Sequence, residues 1–445
     1  MLIFIAMKRL FALLLISSTV FAACGKDDPE NNKGNNNGNN NEKPDVPEKV
    51  DETKENTVNW SKWEEGYLDI HHLSTGAGDC IFIVMPDGTT MMVDAGNKID
   101  TGDTYPGQLP DNSKTTGEWI ARYVEHFASE AGLEKPKHLD YMLVTHFHDD
   151  HIGSISGTSR WTLSADGTYK MTGVSRVANL LQIDKIVDRD YPDYCNPAGT
   201  SIYSDPTTQN YLNFIASYVK NGGKVEKFSV GSNQQFKTLK KSIDGFEIRN
   251  IYSTGCYWDK AYGATASNIP TSGVTSDDLR ENLMSNVIKI SYGKFDYHCG
   301  GDIESESETE GWAAVEKSVG ALVGEVDVMK CDHHGNENAN CAVFIESLTP
   351  QVSIATVRRA TYPADKVGER ILTQSQYKGT KELYTNYMSS DKEENFQKRG
   401  FDVKPSGHVV VRVYPAGTTF RVFVFDYSNP EFKQVYSSQL FISRD

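Results

Sequence analysis

The stretch LDYMLVTHFHDDHIGS, residues 139–154, holds three of the chain's 11 histidines and two aspartates within six positions. On a helix His146 and His148 would point to different faces. On an extended segment residues i and i+2 share a side, so both rings converge on one point, the geometry of a metal-ligand pair. Three further apolar runs end in groups that bind or orient metals: Asp94 in MMVDAG, Asp302 in CGGD, and His333 with His334 in CDHHG. Each of those three motifs is an ordinary turn when met alone. HxHxDH, here His146, His148, Asp150 and His151, is specific by itself. Imidazole and carboxylate without thiolate suit zinc, with manganese or iron as alternatives. Such a set leaves coordination positions open for water, the style of a catalytic site rather than a purely structural one.

These groups need a scaffold that brings separate strand ends together. Residues 66–96 read as a strand followed by two strands joined at an Asp87-Gly88 turn, a hairpin entering a sheet. In TGEWIARYVEHFASEA, Trp119, Ile120, Tyr123, Phe127 and Ala131 recur at helical spacing, with Thr116 and Glu118 marking the start. YMLV (141–144), VIKISYG with FDYHCGGD (287–302), VDVMKCDHHG (326–335) and HVVVRVYPAGTTFRVFVFD (408–426) are further strand patterns, with helical patterns at 308–320 and 364–374. Strands and helices in alternation predict a layered α/β architecture with two sheets. Residues 155–281 carry mixed signals and are expected to be an insertion that shapes a substrate mouth.

The net charge is −15. Residues 25–58 are Asn-rich, hold 9 acids against 5 bases and almost no large apolar side chain, so they cannot recover the entropy of ordering and read as a flexible tether. Lys8 and Arg9 are basic, which leaves −13 on residues 59–445. An acidic body without a basic run repels polyanions, so general nucleic-acid binding is not expected. Ahead of the tether, two basic residues, a short apolar run and FAAC form a secretory signal over residues 1–23. Its end resembles the lipobox of bacterial lipoproteins, which implies acylation at Cys24, export, and a membrane anchor at the outer membrane, the cell surface or a periplasm-facing membrane. The six other cysteines show no CxxC pair. Disulfides and buried thiols both stay open for them.

Taken together, STGAGDCIFIVMPDGTTMMVDAG, LDYMLVTHFHDDHIGS, SNVIKISYGKFDYHCGGD and EVDVMKCDHHGN resemble the metallo-β-lactamase-fold hydrolases. Within them the likeness is to the hydrolase domain of ComEC-type competence proteins and to the choline-phosphate esterases of bacterial walls. The resemblance implies a four-layer αββα sandwich over residues 59–445, with 155–281 inserted after the HxHxDH loop. It assigns one metal to His146, His148 and a third histidine, and a second to Asp150, His151 and a late histidine. Asp302 would bridge the two ions, and His333 would be the late ligand with His334 in reserve. A third histidine is missing, since His298 falls inside a strand pattern; the ComEC-like members share that gap. Asp94 corresponds to an aspartate that braces the histidine loop without touching metal.

Two divalent ions against Asp150, Asp302 and a hydroxide leave a residual positive charge, suited to an anionic transition state. The implied activity is hydrolysis by a metal-bound hydroxide, with Asp150 and Asp94 in the machinery and His334 contacting substrate or donating a proton. A phosphodiester of a small molecule, a lipid or a wall headgroup is the favoured substrate. Tyr191, Tyr194, Tyr257 and Trp258 are candidates for a cationic-headgroup cage, or for core packing. An amide, lactone or β-lactam hydrolase, or a non-catalytic surface lipoprotein with a relic site, are the alternatives. His71 and His72 suit either a site or a core, and His408 a strand start.

Overall fold

Both faces of the predicted strands are covered, which is why their sequences are nearly continuous apolar runs. The computed structural model of the protein describes residues 58–100, 102, 105–305 and 310–444. The expected signal peptide, Cys24 and all of the tether except Val58 lie outside the described residues.

One sheet has ten strands. Its main path runs Gln434–Ser437, Thr419–Phe425, His408–Val413, Leu68–His72, Ile81–Val84, Thr90–Val93, His138–Leu143, Gln182–Asp188 and Lys224–Lys227, with Phe441–Ile442 paired to Thr419–Phe425. The second sheet has eight strands, in the order Gly263–Ala264, Cys256–Asp259, Phe246–Ser253, Val287–Tyr292, Phe295–Cys299, Val328–Lys330, Val352–Ala355 and Glu382–Thr385. Pairing is parallel along Thr90–Val93, His138–Leu143, Gln182–Asp188 and Lys224–Lys227, and again from Phe295–Cys299 to Glu382–Thr385.

Alternation sorts the side chains. Ile81, Ile83, Met91, Val409 and Val411 of the first sheet share one buried cluster with Ile288, Ile290, Val328, Val352 and Ile354 of the second. Phe82, Val84, Met92 and Val410 point the other way, against Ile120, Tyr123, Val124 and Phe127 of the helix Thr116–Glu130. Val287, Met329 and Ala355 of the second sheet meet Val315, Phe344, Ile345 and Val367 from the helices Val315–Val323, Ala342–Leu348 and Asp365–Thr373. The helix at 116 is capped one residue earlier than expected: Thr115 accepts from Glu118 N, and the Glu118 carboxylate accepts from Thr115 N at 2.7 Å.

Residues 155–281 are not set apart from the sheets. They supply Gln182–Asp188 and Lys224–Lys227 to the first and Phe246–Ser253 to the second. Sequence patterns missed this because the connecting loops are long and polar.

Candidate metal centre

Strand ends deliver the chemistry. Asp94 follows Thr90–Val93, Thr145 and His146 follow His138–Leu143, Asp302 lies just beyond Phe295–Cys299, and His334 follows Val328–Lys330. The C-terminal ends of parallel strands are where open α/β sheets place their ligands.

Asp94 braces the histidine loop as expected. Its Oδ1 accepts from Thr145 N at 2.8 Å, and its Oδ2 accepts from Thr145 Oγ1 at 2.6 Å and from His151 Nδ1 at 2.8 Å. The backbone of Asp94 is left-handed at φ 56°, a conformation that costs a non-glycine residue energy and collects at functional sites. The loop also sits in a nest of two glycines. A Cβ on Gly78 would lie 2.1 Å from the Asp150 carbonyl oxygen, and one on Gly96 would lie 1.9 Å from it. The carbonyl accepts from Asp79 N at 2.9 Å, so STGAGD and VDAG hold the HxHxDH loop through its main chain.

Three imidazoles present Nε2 to one carboxylate oxygen. Asp302 Oδ2 lies 4.0 Å from His146 Nε2, 3.1 Å from His151 Nε2 and 3.3 Å from His334 Nε2, and all four side chains are buried. Their rear nitrogens are held: His146 Nδ1 is 3.1 Å from Thr145 Oγ1, His151 Nδ1 faces Asp94, and His334 Nδ1 is 2.9 Å from both the Thr356 carbonyl oxygen and Asp79 Oδ1. Anchoring Nδ1–H to oxygen leaves Nε2 with its lone pair toward the centre, the arrangement metal-ligating histidines use. His148 joins through Nδ1, 3.1 Å from His146 Nε2. Asp150 Oδ2 is 3.3 Å from His334 Nε2.

His151 Nε2, His334 Nε2 and Asp302 Oδ1 are buried without a hydrogen-bond partner among the described residues. Buried polar atoms rarely stay unsatisfied, and a cation would satisfy these. Asp79, Asp94, His146, Asp150, His151, Asp302 and His334 form overlapping groups of three whose ligand atoms lie within 4.8 Å of one another. This all-nitrogen-and-oxygen set fits zinc.

Electrostatics agree. Burial disfavours charge on His151 and His334, but Asp302 with Asp94, and Asp302 with Asp79, outweigh it and raise both imidazoles well above their usual range. Burial likewise opposes the Asp150 carboxylate, yet Arg358 and His334 hold it well below its ordinary value. Without metal, the cluster therefore keeps protons where it would hold ions.

The two adjacent late histidines exchange the places expected for them. His334, held in reserve, is the buried one in the cluster. His333, expected as the ligand, sits at the rim, with Nε2 4.0 Å from Asp302, Nδ1 3.3 Å from Glu304 and a further contact at 2.9 Å to Asn338 Oδ1. Both have left-handed backbones, φ 46° and 58°, so strand alternation does not carry through the turn. His298 lies inside its strand as expected, 3.2 Å from Asp332 and away from the cluster. The histidine grouped with His146 is His151, through Asp302, and no further one joins that group among the described residues.

Gly300 and Gly301 stand where any side chain would clash with its neighbours. A Cβ on Gly300 would meet Asp332 Oδ1 at 2.5 Å, and one on Gly301 would meet Thr145 at 2.8 Å.

Four site residues escaped the sequence reading. Asp79 lies behind His334, and Lys330 Nζ is 2.7 Å from Asp79 Oδ2, both side chains buried. Arg358 Nε is 2.6 Å from Asp150 Oδ2. Glu281 accepts from Phe147 N at 2.9 Å, between the two metal-pair histidines, and is paired to buried Arg189 at 2.7 Å. A lysine inside the apolar run VDVMKC was the one available signal, since an unpaired charge does not enter a core.

The remaining candidates are structural. Tyr194 bonds Asp188 and packs near Phe147, whereas Tyr257 pairs with Tyr252 and Trp258 lies under Arg249, so the four aromatics do not form one cage. His71, His72 and His408 are buried, bonded to Tyr123, Tyr297 and Ser74 N respectively. The six described cysteines are free thiols.

Residues 73–161 match the family model of the metallo-beta-lactamase superfamily, whose members are mostly metal-dependent hydrolases. The matched segment contains Asp79, Asp94 and the whole HxHxDH loop. No curated protein matches the chain.

Proposed function

We propose that the protein is a metal-dependent hydrolase of phosphodiesters, holding two divalent ions, zinc first, between His146, His148, Asp150, His151, Asp302 and His334. The observation that carries this reading is the convergence of three buried imidazole nitrogens on Asp302 Oδ2, two of them without a hydrogen-bond partner among the described residues. Bound there, the ions would lower the pKa of water and neutralise charge developing on the substrate. The residues do the rest. Asp94 and the Thr356 carbonyl hold the Nδ1 sides of His151 and His334, and Asp79 adds a negative charge behind His334. His333, on the rim between Asp302 and Glu304, takes the substrate-facing role expected of His334.

The three apolar clusters support the four-layer αββα reading. The acidic body favours a small or headgroup diester over a nucleic acid. Anchorage through acylated Cys24 completes the proposal, carried by FAAC and the tether. It fails if Cys24→Ser still partitions with membranes.

The deciding experiment compares zinc-loaded and chelated protein on bis-p-nitrophenyl phosphate and on a chromogenic β-lactam. Turnover of the diester, abolished by chelation, is expected. Lactam turnover without diester turnover would replace this reading with a carbonyl hydrolase.

A further inference from the structure

We propose that Arg358 is the receptor for a phosphoryl oxygen of the substrate, held in reserve by two aspartates. This rests on the hydrolase reading above for its substrate, though not for its geometry. Arg358 follows the strand Val352–Ala355, the parallel neighbour of the strand that delivers His334. Its side chain is 7% exposed. The guanidinium is stretched between an inner acid, Asp150 Oδ2, 2.6 Å from Nε, and an outer one, Asp100 Oδ2, 2.6 Å from Nη1.

The inner contact is electrostatic and undirected. Nε is buried close to Asp150 yet makes no hydrogen bond of proper geometry, so its N–H stands as an unused donor at the edge of the cluster. A buried donor left unmade is costly. An arginine presents Nε–H and an Nη–H side by side, a fork that matches two oxygens of a phosphoryl group. With an ion held by Asp150, the carboxylate's hold on Arg358 would weaken and leave that fork free for a phosphoryl oxygen.

Other nearby cations are committed elsewhere. Lys330 Nζ is 2.7 Å from Asp79, donates to the Gly301 carbonyl at 2.7 Å, and is buried behind the histidines. Arg189 donates Nε and Nη2 to Glu281 and Nη1 to the Asn196 carbonyl. Arg280 is paired to Glu304 at 2.9 Å. Among the described residues Arg358 alone both touches a cluster carboxylate and reaches outward to a partly exposed partner, Asp100, 29% exposed. A neutral carbonyl ester carries no charge before the attack, whereas a diester keeps a charged oxygen throughout.

The test is calorimetric titration of inorganic phosphate into the zinc-loaded full-length protein, with bound zinc measured in parallel. Arg358→Gln should weaken phosphate about 10- to 100-fold, the loss expected for a hydrogen bond between charged groups, with zinc content unchanged. Arg358→Lys keeps the charge without the fork, so it should fold as wild type and still weaken phosphate several-fold. In kinetics, Arg358→Gln should raise KM for bis-p-nitrophenyl phosphate more than it lowers kcat, and Arg358→Lys should raise KM less than Arg358→Gln does. No phosphate binding by wild type, unchanged binding in Arg358→Lys, or zinc loss in Arg358→Gln equal to that in Asp150→Ala would overturn the assignment. If the wild type turns over only the neutral ester, the diesterase reading falls, and the phosphate titration still decides the role of Arg358.

Discussion

Lys330 and Asp79 form a buried ion pair, Nζ to Oδ2 2.7 Å, and the other oxygen of the same carboxylate lies 2.9 Å from His334 Nδ1. A cation from the second sheet thus sets the orientation of a carboxylate on the first, and through it the ring that faces the metal position. Burial opposes charge on Asp79, but Lys330 and His334 outweigh it and lower its pKa strongly. Replacing Lys330 with Met should leave that carboxylate facing His334 alone and cost about 3 kcal/mol. Urea unfolding of metal-free protein measures it. Adding Asp79→Asn should restore part of the loss; a double variant as unstable as the sum of the singles would contradict the pairing.

The exchanged histidines make a sharp contrast. His334→Ala and Asp302→Ala should each lower bound zinc, because both remove a buried donor from the cluster. His333→Ala should keep the zinc and lose rate. Metal analysis after dialysis separates them, and a zinc-free His333→Ala with intact His334→Ala would return the ligand role to His333.

Zinc uptake should release protons. His151 and His334 are held charged by the surrounding carboxylates in the metal-free protein, and a metal must displace those protons. Affinity should therefore rise with pH, with about two protons released near pH 7. Calorimetry in buffers of different ionisation enthalpy counts them; no buffer dependence would be inconsistent with protonated imidazoles.

Acid should destabilise the fold through histidines away from the site. Burial lowers His72 and His408 from 6.5 to about 3. The stability these neutral rings provide is complete above 6.5 and is lost as pH falls from there towards 3, since only the unfolded chain takes up the protons. Each costs about 2 kcal/mol at pH 5. His408→Asn keeps an acceptor for Ser74 N, 3.0 Å away in the wild type, and removes the titration. Between pH 7 and pH 5 the wild type should lose about 2 kcal/mol more than this variant. Equal losses would refute the assignment.

Much of the centre was readable from the chain because it is built at strand ends. His146 and His148 share a side by alternation, Asp94 directly follows one buried strand and Asp302 lies just past the end of another, and these relations depend only on neighbours in sequence. The HHG turn defeated the same logic. Two successive left-handed residues rotate the side chains out of alternation, and the sequence pattern contains no term for that. Residues 155–281 were obscure for a related reason: their strands are separated by long polar loops and declare themselves only by pairing with distant partners.

By itself the sequence pointed to a candidate metal centre at the ends of buried strands, with Asp94 bracing the histidine loop and Asp302 beside the histidines. Only the tertiary structure decided which of His333 and His334 turns inward, and that Asp79, Lys330 and Arg358 belong to the centre. The physical reason is that a charge acquires its role from the opposite charge it meets when solvent is excluded. Lys330 meets Asp79, and Arg358 meets Asp150, only once the second sheet has closed on the first.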